Sequence, residues 1–375
     1  MSPSSFRDAE RFTAALDLES LCGQVLVVGF DGTSLPRFLA DHLCHGRRGG
    51  VILFRRNLSD LEGSWQLCRE IRNSFASTMP PLIAIDEEGG RVTRLPSPFK
   101  PLPPMQWLGA REAEVTRRAA RWLGRRLAAV GVTWDFAPVL DVDSNPDNPV
   151  IGDRSFSSDP AVVARHGLSV VEGLGECGIA ACGKHFPGHG DTTLDSHLEL
   201  PTVQHSAERL NQVEFFPFRA CATSQLAGMM TAHVSYPGLD ASGTPATFSP
   251  IILQQILREQ LGFSGVLFSD DLEMGAVVRH HRIEDAACQA IRAGCDALLV
   301  CHSEEVAERA HAALVAEAKR DATILNSLRK AVTRLIQARS RRRPVQAHSV
   351  GELFAVFDEA DRASWDDDSR HSDGR

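Results

Sequence analysis

Eight short apolar runs, each followed by a longer segment of helical texture, constrain this chain more than any other feature. They lie at 24–30 (QVLVVGF), 50–54 (GVILF), 82–86 (LIAID), 132–138 (VTWDFAP), 179–186 (IAACGKHF), 227–233 (AGMMTAH), 266–270 (VLFSD) and 297–301 (ALLVC). Each has the length of a strand, and most are apolar throughout instead of alternating, as a parallel sheet covered on both faces requires. Between them the pattern is helical. Over 111–130, the residues Val115, Ala119, Trp122, Leu123, Leu127 and Val130 fall on one 3.6-residue stripe, and Gly131 stands where a helix C′ residue belongs. Asp159-Pro160 and Ser249-Pro250 each place a capping side chain before a proline suited to the first helical turn. The last helices are expected at about 304–318 and 323–337. Eight such units in roughly 330 residues specify an α/β fold, a (β/α)8 barrel of TIM type. A doubly wound open sheet is the alternative, but no G-x-G-x-x-G follows the first run, so a dinucleotide site has no support.

The texture changes after Ser340, where RRRPVQAHSV is basic and then polar and DDDSRHSDGR closes the chain. Residues 1–340 are read as one barrel domain and 341–375 as a tail largely without fixed structure, in which ELFAVFDEADRASW has the pattern for an amphipathic turn or two. A net charge of -8 gives no reason to expect nucleic acid as a partner. The polar N-terminus lacks a basic stretch followed by an apolar one, so no secretory signal is expected, and no stretch nears the ~18 apolar residues of a membrane helix. The nine cysteines are scattered with no C-x-x-C, which reads as reduced thiols of a cytoplasmic protein. The chain is expected to be a monomer.

Ionisable residues stand at the end of nearly every apolar run: Asp31, Arg55-Arg56, Asp86-Glu87-Glu88, Asp141 and Asp143, Lys184-His185, His233, Asp270-Asp271 and His302. In a barrel these ends share one face and converge on one pocket. The densest stretch is KHFPGHGDTTLDSH, 184–197. His185, His189, Asp191 and His197 have the chemistry of zinc ligands, but Pro187, Gly188 and Gly190 exclude the helix on which H-x-x-x-H shares a face. A second reading makes His189 a tie between its loop and the barrel rim. A third is acid–base chemistry: in Asp195-Ser196-His197 an extended backbone points carboxylate and imidazole the same way. The carboxylate then orients an imidazole whose ordinary pKa of about 6.5 suits proton transfer at neutral pH.

These pieces together resemble a known family. GVILFRRN (50–57), AIDEEGGRVTRL (84–95), DFAPVLDV (135–142), NPVIGDRSF (148–156), KHFPGHGDTTLDSHLELP (184–201), MTAHVSYP (230–237) and GFSGVLFSDDLEM (262–274) resemble, in order, the bacterial β-N-acetylglucosaminidases of glycoside hydrolase family 3, the peptidoglycan-recycling type. The resemblance covers about 20–330 and implies retaining hydrolysis. It places Asp270 on the family's nucleophile, Asp195 and His197 on its acid/base dyad, and Asp86, Arg94, Arg154, Lys184 and His185 on residues that hold the terminal N-acetylglucosamine. One departure is visible: where the family often reads D-Q-E-G-G-R, this chain has Asp86-Glu87-Glu88-Gly89-Gly90-Arg91, from which only a local change of charge is expected.

A retaining glycosidase needs a carboxylate beneath the anomeric carbon and an acid beside the leaving oxygen. Asp270 suits the first role and His197, steered by Asp195, the second. No metal or organic cofactor is required. The implied substrate is a muropeptide with N-acetylglucosamine β-1,4-linked to anhydro-N-acetylmuramic acid. Around this set, Asp271 reads as structural, Arg91 as an ion-pair partner within its loop, Met274 as core, and Glu87 and Glu88 as loop-stabilising; His233 reads equally as pocket lining or satisfied core. The rivals are a β-glucosidase or a phosphorylase of the same family, substrate-assisted chemistry at Asp86-Glu87, and a sugar-binding barrel without catalysis.

Overall fold

The computed structural model describes residues 6–76, 79–194, 196, 199–341 and 344–362. All eight apolar runs become strands: β1 Leu26–Val28, β2 Gly50–Leu53, β3 Ile83–Ile85, β4 Trp134–Asp135, β5 Ala180–Phe186, β6 Gly228–Thr231, β7 Val266–Asp271 and β8 Ala297–Val300. They pair in parallel in chain order, and β1 closes on β8 through Leu26 opposite Leu298 and Val28 opposite Val300. The open-sheet alternative is thereby excluded. Every strand residue is buried except Asp270. That explains the continuous apolar runs, since helices cover the outside and side chains fill the inside.

The interior is filled by rings from non-adjacent strands. Phe268 on β7 meets Trp134 of β4 edge-on, with centroids 5.1 Å apart, and Phe136 at the same distance. On β6, one of the two strands between them, Gly228 leaves the space these rings occupy: a Cβ there would lie 2.9 Å from both Phe268 and Trp134.

The helices follow their sequence signals. Ala113–Val130 buries Ala119, Trp122, Leu123, Leu127 and Val130, and ends at Gly131 with φ +114°, whose N–H returns to the Leu127 carbonyl. Asp159 caps Pro160–Glu176 by accepting from the Ala161 N–H, and Ser249 accepts from Ile252 at the head of Ile251–Gln260, which is wound as a π helix. The closing helices are Glu304–Arg320 and Ala322–Arg341.

Within the stretch read as a tail, Val350–Arg362 forms a helix. Leu353 and Phe357, one turn apart, share a face and are buried; Phe357 meets Phe99 at 6.5 Å and the Arg126 guanidinium at 5.4 Å. This amphipathic turn has a partner surface on Ala113–Val130, which composition alone does not reveal. Residues 363–375, the acidic end of the expected tail, lie outside the described residues. Among the described residues no helix is long and apolar enough to cross a membrane. The nine cysteines are all free thiols, and only Cys44 is exposed.

Gly228→Ala tests how tightly the interior is filled. The added methyl must displace two ring systems from different strands, and the expected loss of stability is about 1–3 kcal/mol by denaturant unfolding. A loss below about 0.5 kcal/mol would show slack between the rings.

Candidate active site

The C-terminal strand ends surround a cavity of about 460 Å³ lined by Asp86, Arg94, Arg154, Lys184, His185 and Asp270, among others. Six of the eight residues singled out from the sequence thus meet in one place. The other two, Asp195 and His197, lie outside the described residues. Ser196, which stands between them in the chain, is buried on the cavity wall. Its hydroxyl bonds His189 Nε2 at 2.9 Å and its carbonyl accepts from the Ala276 N–H at 3.2 Å.

A buried ion cluster organises one side. Asp86 follows β3, and its Oδ1 accepts from Lys184 Nζ at 2.7 Å. The same Nζ lies 2.6 Å from Glu88 Oε1, while Arg154 grips both Glu88 oxygens, each at 2.8 Å. Arg94 lies 3.9 Å from the second Asp86 oxygen. Burial alone would raise the Glu88 carboxyl; the Arg154 and Lys184 charges override it and hold the group well below the ordinary carboxylate range. Burial would likewise lower the Lys184 amine, and Asp86 and Glu88 reverse that, so it stays charged. Glu88 is therefore the hub of the cluster and not a loop support. The loop-supporting acid is its neighbour: Glu87 accepts from the Thr93 hydroxyl and from the N–H groups of Arg94 (2.7 Å) and Leu95 (2.9 Å). The departure from D-Q-E-G-G-R falls at Glu87, whose carboxyl burial pushes up.

A second set of contacts holds the histidines. Asp141, fully buried, accepts from His185 Nδ1 at 2.7 Å, from the His185 N–H at 3.2 Å and from the His189 N–H at 2.6 Å. This fixes the His185 ring at the end of β5, where the Lys184–His185 and Phe186–Pro187 peptide bonds are cis. His189 is bonded on both ring nitrogens, to Thr192 (2.8 Å) and Ser196, and burial, aided by the neighbouring His185, pushes it down to about 4. The reading of His189 as a loop tie holds. Asn148, buried, lashes the loop after β4 to the loop after β5: its Nδ2 donates to the His189 and Gly190 carbonyls at 2.9 and 3.0 Å. Gly190 is required there, since a Cβ would lie 1.7 Å from the Val142 carbonyl oxygen.

Asp270 caps β7 and is the one strand residue reaching the cavity unburied. Burial would raise its carboxyl, but His185 opposes this, with the Asp271 N–H (2.8 Å) and Lys184 adding to it, and the group is held below its ordinary value. Asp271 is structural, as expected: it accepts from Glu273 and Cys301 N–H groups and lies 3.2 Å from His302 Nε2. His233 resolves as satisfied core, bonded to the Thr247 hydroxyl (2.8 Å) and the Asp271 carbonyl (3.0 Å). Arg91 pairs with Asp153 at 3.6 Å and donates to the Val150 carbonyl, so it bridges two loops instead of one. Met274 is buried yet lines the cavity, and Cys301 does the same, its thiol pushed far up by burial.

Sequence reasoning passed over Glu88, Asp141 and Asn148 as site residues. All three lie inside the motif runs quoted above, but their partners are 41 to 66 residues away along the chain.

The chain that carries this site has known relatives. Residues 18–338 fit the glycosyl hydrolase family 3 N-terminal domain. The chain belongs to glycosyl hydrolase family 3. It is 45% identical over 273 residues to a β-hexosaminidase of Thiobacillus denitrificans, spanning 71% of this chain and 75% of that one. It is 40% identical over 327 residues to a β-hexosaminidase of Nitrosospira multiformis, spanning 85% and 89%. Among solved structures it superposes on a family 3 β-N-acetylglucosaminidase from Paenibacillus with a TM-score of 0.84, at 36% identity over 92% of this chain and 68% of that one. NagZ from Neisseria gonorrhoeae in complex with N-trifluoroacetyl-D-glucosamine gives 0.73, at 33% identity over 91% and 98%.

Glu88→Gln tests the family member's ion cluster. It leaves the Arg154 and Lys184 charges buried with one carboxylate fewer, and the expected cost is about 3–5 kcal/mol at pH 7 by denaturant unfolding. Because the folded-state carboxyl is held below its ordinary value of 4.5, its contribution is complete above that value and is lost as acid protonates it in the fold. The stability gap between wild type and variant should narrow progressively below pH 4.5; a constant gap would place the loss elsewhere.

Proposed function

We propose that this chain is a retaining exo-β-N-acetylglucosaminidase acting by double displacement. The observation that carries the reading is Asp270, an ionised carboxylate on a rigid strand, facing a grip of buried Lys184 with half-buried Asp86 and Arg154 across a cavity of a size that small-molecule sites use. The relatives named β-hexosaminidase support an N-acetylated hexose over glucose as the ring held there.

In this scheme Asp270 attacks the anomeric carbon and forms an ester bond as the glycosidic C–O bond breaks. His197, oriented by Asp195, gives its proton to the leaving oxygen, then takes one from the water that cleaves the ester. Asp86 accepts from a ring hydroxyl, and Lys184, Arg94 and Arg154 donate to ring oxygens. His185, locked by Asp141, lies beside the nucleophile and favours its charged form. We read the natural substrate as N-acetylglucosamine β-1,4-linked to anhydro-N-acetylmuramic acid, with or without peptide, and the setting as cytoplasmic cell-wall recycling; the motif resemblance supports both.

Three measurements test this. Asp270→Ala should abolish hydrolysis of an aryl N-acetyl-β-glucosaminide while keeping the wild-type circular dichroism. A 2-fluoro glycosyl donor with an activated leaving group should leave a sugar ester that peptide mapping finds on Asp270; label on another residue would refute the nucleophile. His197→Ala should slow a sugar leaving group at least about a hundredfold more than a dinitrophenyl one, since only the former needs protonation. Equal losses would refute its role as the acid.

A further inference from the structure

The mechanism leaves one part of the cavity wall without a task. Phe54, just past β2, and His302, just past β8, both line the cavity, and their rings stack at 6.1 Å between centroids with only 26° between planes. The shelf is held from behind. The Arg56 guanidinium lies 4.5 Å over Phe54 and is itself fixed by the Phe30 carbonyl (3.0 Å) and the Cys301 carbonyl (2.5 Å). His302 is held by Asp271 at its ring, and by Glu273, which accepts from the His302 N–H at 2.6 Å. Yet the His302 side chain is 60% exposed, so the outer ring of a rigid, stacked, nearly parallel pair faces open space at the mouth.

Its position gives it a role. The groups that grip a ring come from β3, the loop after β4 and β5, whereas Asp270 and its neighbour Asp271 stand on β7 beside His302. A sugar gripped at one end with its anomeric carbon at Asp270 directs its leaving group towards the rim running from β7 past β8 and β1 to β2, where this shelf lies. Flat rings with a polar edge are the surface on which the apolar face of a pyranose packs while its hydroxyls find partners.

Resting on the glycosidase reading above, we infer that Phe54 and His302 form the leaving-group subsite and select a second pyranose ring as the aglycone. The subsite acts by binding, so it favours substrates in which the released group is itself a sugar over those that release a small alcohol.

The test compares two N-acetyl-β-glucosaminides whose leaving alcohols are both poor: N,N′-diacetylchitobiose, which releases a pyranose, and the methyl glycoside, which releases methanol. Both need the same protonation, so their ratio reports the subsite. Wild type should prefer the disaccharide by at least about tenfold in kcat/KM. Ring packing of this kind changes a binding constant roughly three- to tenfold. His302→Ala and Phe54→Leu should each cut the ratio about threefold, mainly through the disaccharide's KM, and the double variant should bring it near one. Thermal unfolding of each variant shows whether it is folded, and two independent positions keep the test open if one variant fails to fold. A wild-type enzyme that hydrolyses both glycosides with equal kcat/KM overturns the subsite and leaves the glycosidase reading standing. Variants that lose both substrates in proportion do the same. Hydrolysis of neither glycoside by wild type overturns the glycosidase reading, and the subsite with it.

Discussion

The chain of charges Asp86–Lys184–Glu88–Arg154 is the interaction on which the site depends. It joins the end of β3, the end of β5 and the loop after β4 through side chains that meet inside the cavity wall. Two cations alternate with two anions, so the cluster is neutral as a unit, with Lys184 and Glu88 buried and Asp86 and Arg154 half-buried. Desolvation of each charge is large, and it is offset only because every one has an opposite partner within about hydrogen-bond distance. Such a cluster adds little net stability over an apolar core of equal volume. What it provides is geometry: with the charges locked on one another, the remaining donors and acceptors point at fixed places in the cavity.

The same economy governs the nucleophile's surroundings. Asp270 is rigid because β7 is rigid, and the Phe268–Trp134 contact beneath it fills the barrel below the reacting position. Asp141 takes no part in lining the cavity, yet it ties His185 and the His189 backbone to one carboxylate. A single buried acid thus orients the ring beside the nucleophile and the start of the loop that leads to Ser196. The loops above the barrel form a braced frame, through Asn148, Arg91 and the two bonds of Ser196.

The barrel was legible because parallel strands buried on both faces must be apolar without interruption, and the eight runs are. The converging strand ends followed from that topology, and with them Asp86, Lys184, His185 and Asp270. What pattern could not show were pairings across the chain. Glu88 and Glu87 are identical neighbours in the sequence, and only the fold decides that one meets Arg154 and Lys184 while the other meets its own loop. His233 was undecidable for the same reason, since its partners Thr247 and the Asp271 carbonyl come from elsewhere. The helix Val350–Arg362 lay in a segment polar enough to read as tail, and its two apolar anchors acquire meaning only against Phe99 and Arg126. Asp195 and His197 were legible as a motif alone, and both lie outside the described residues.

Cys301 bears on how this cavity would respond to electrophiles. It is the one thiol on the cavity wall, and burial together with the carboxylates of Asp271, Asp86 and Asp270 keeps it protonated far into the alkaline range. A protonated sulfur is a poor nucleophile. A sugar bearing an epoxide or a halide would therefore pass the sulfur by and alkylate a carboxylate. Covalent probes for this pocket belong to the class that reacts with acids, and cysteine-directed reagents should find their target at the exposed Cys44, on the outside of the barrel.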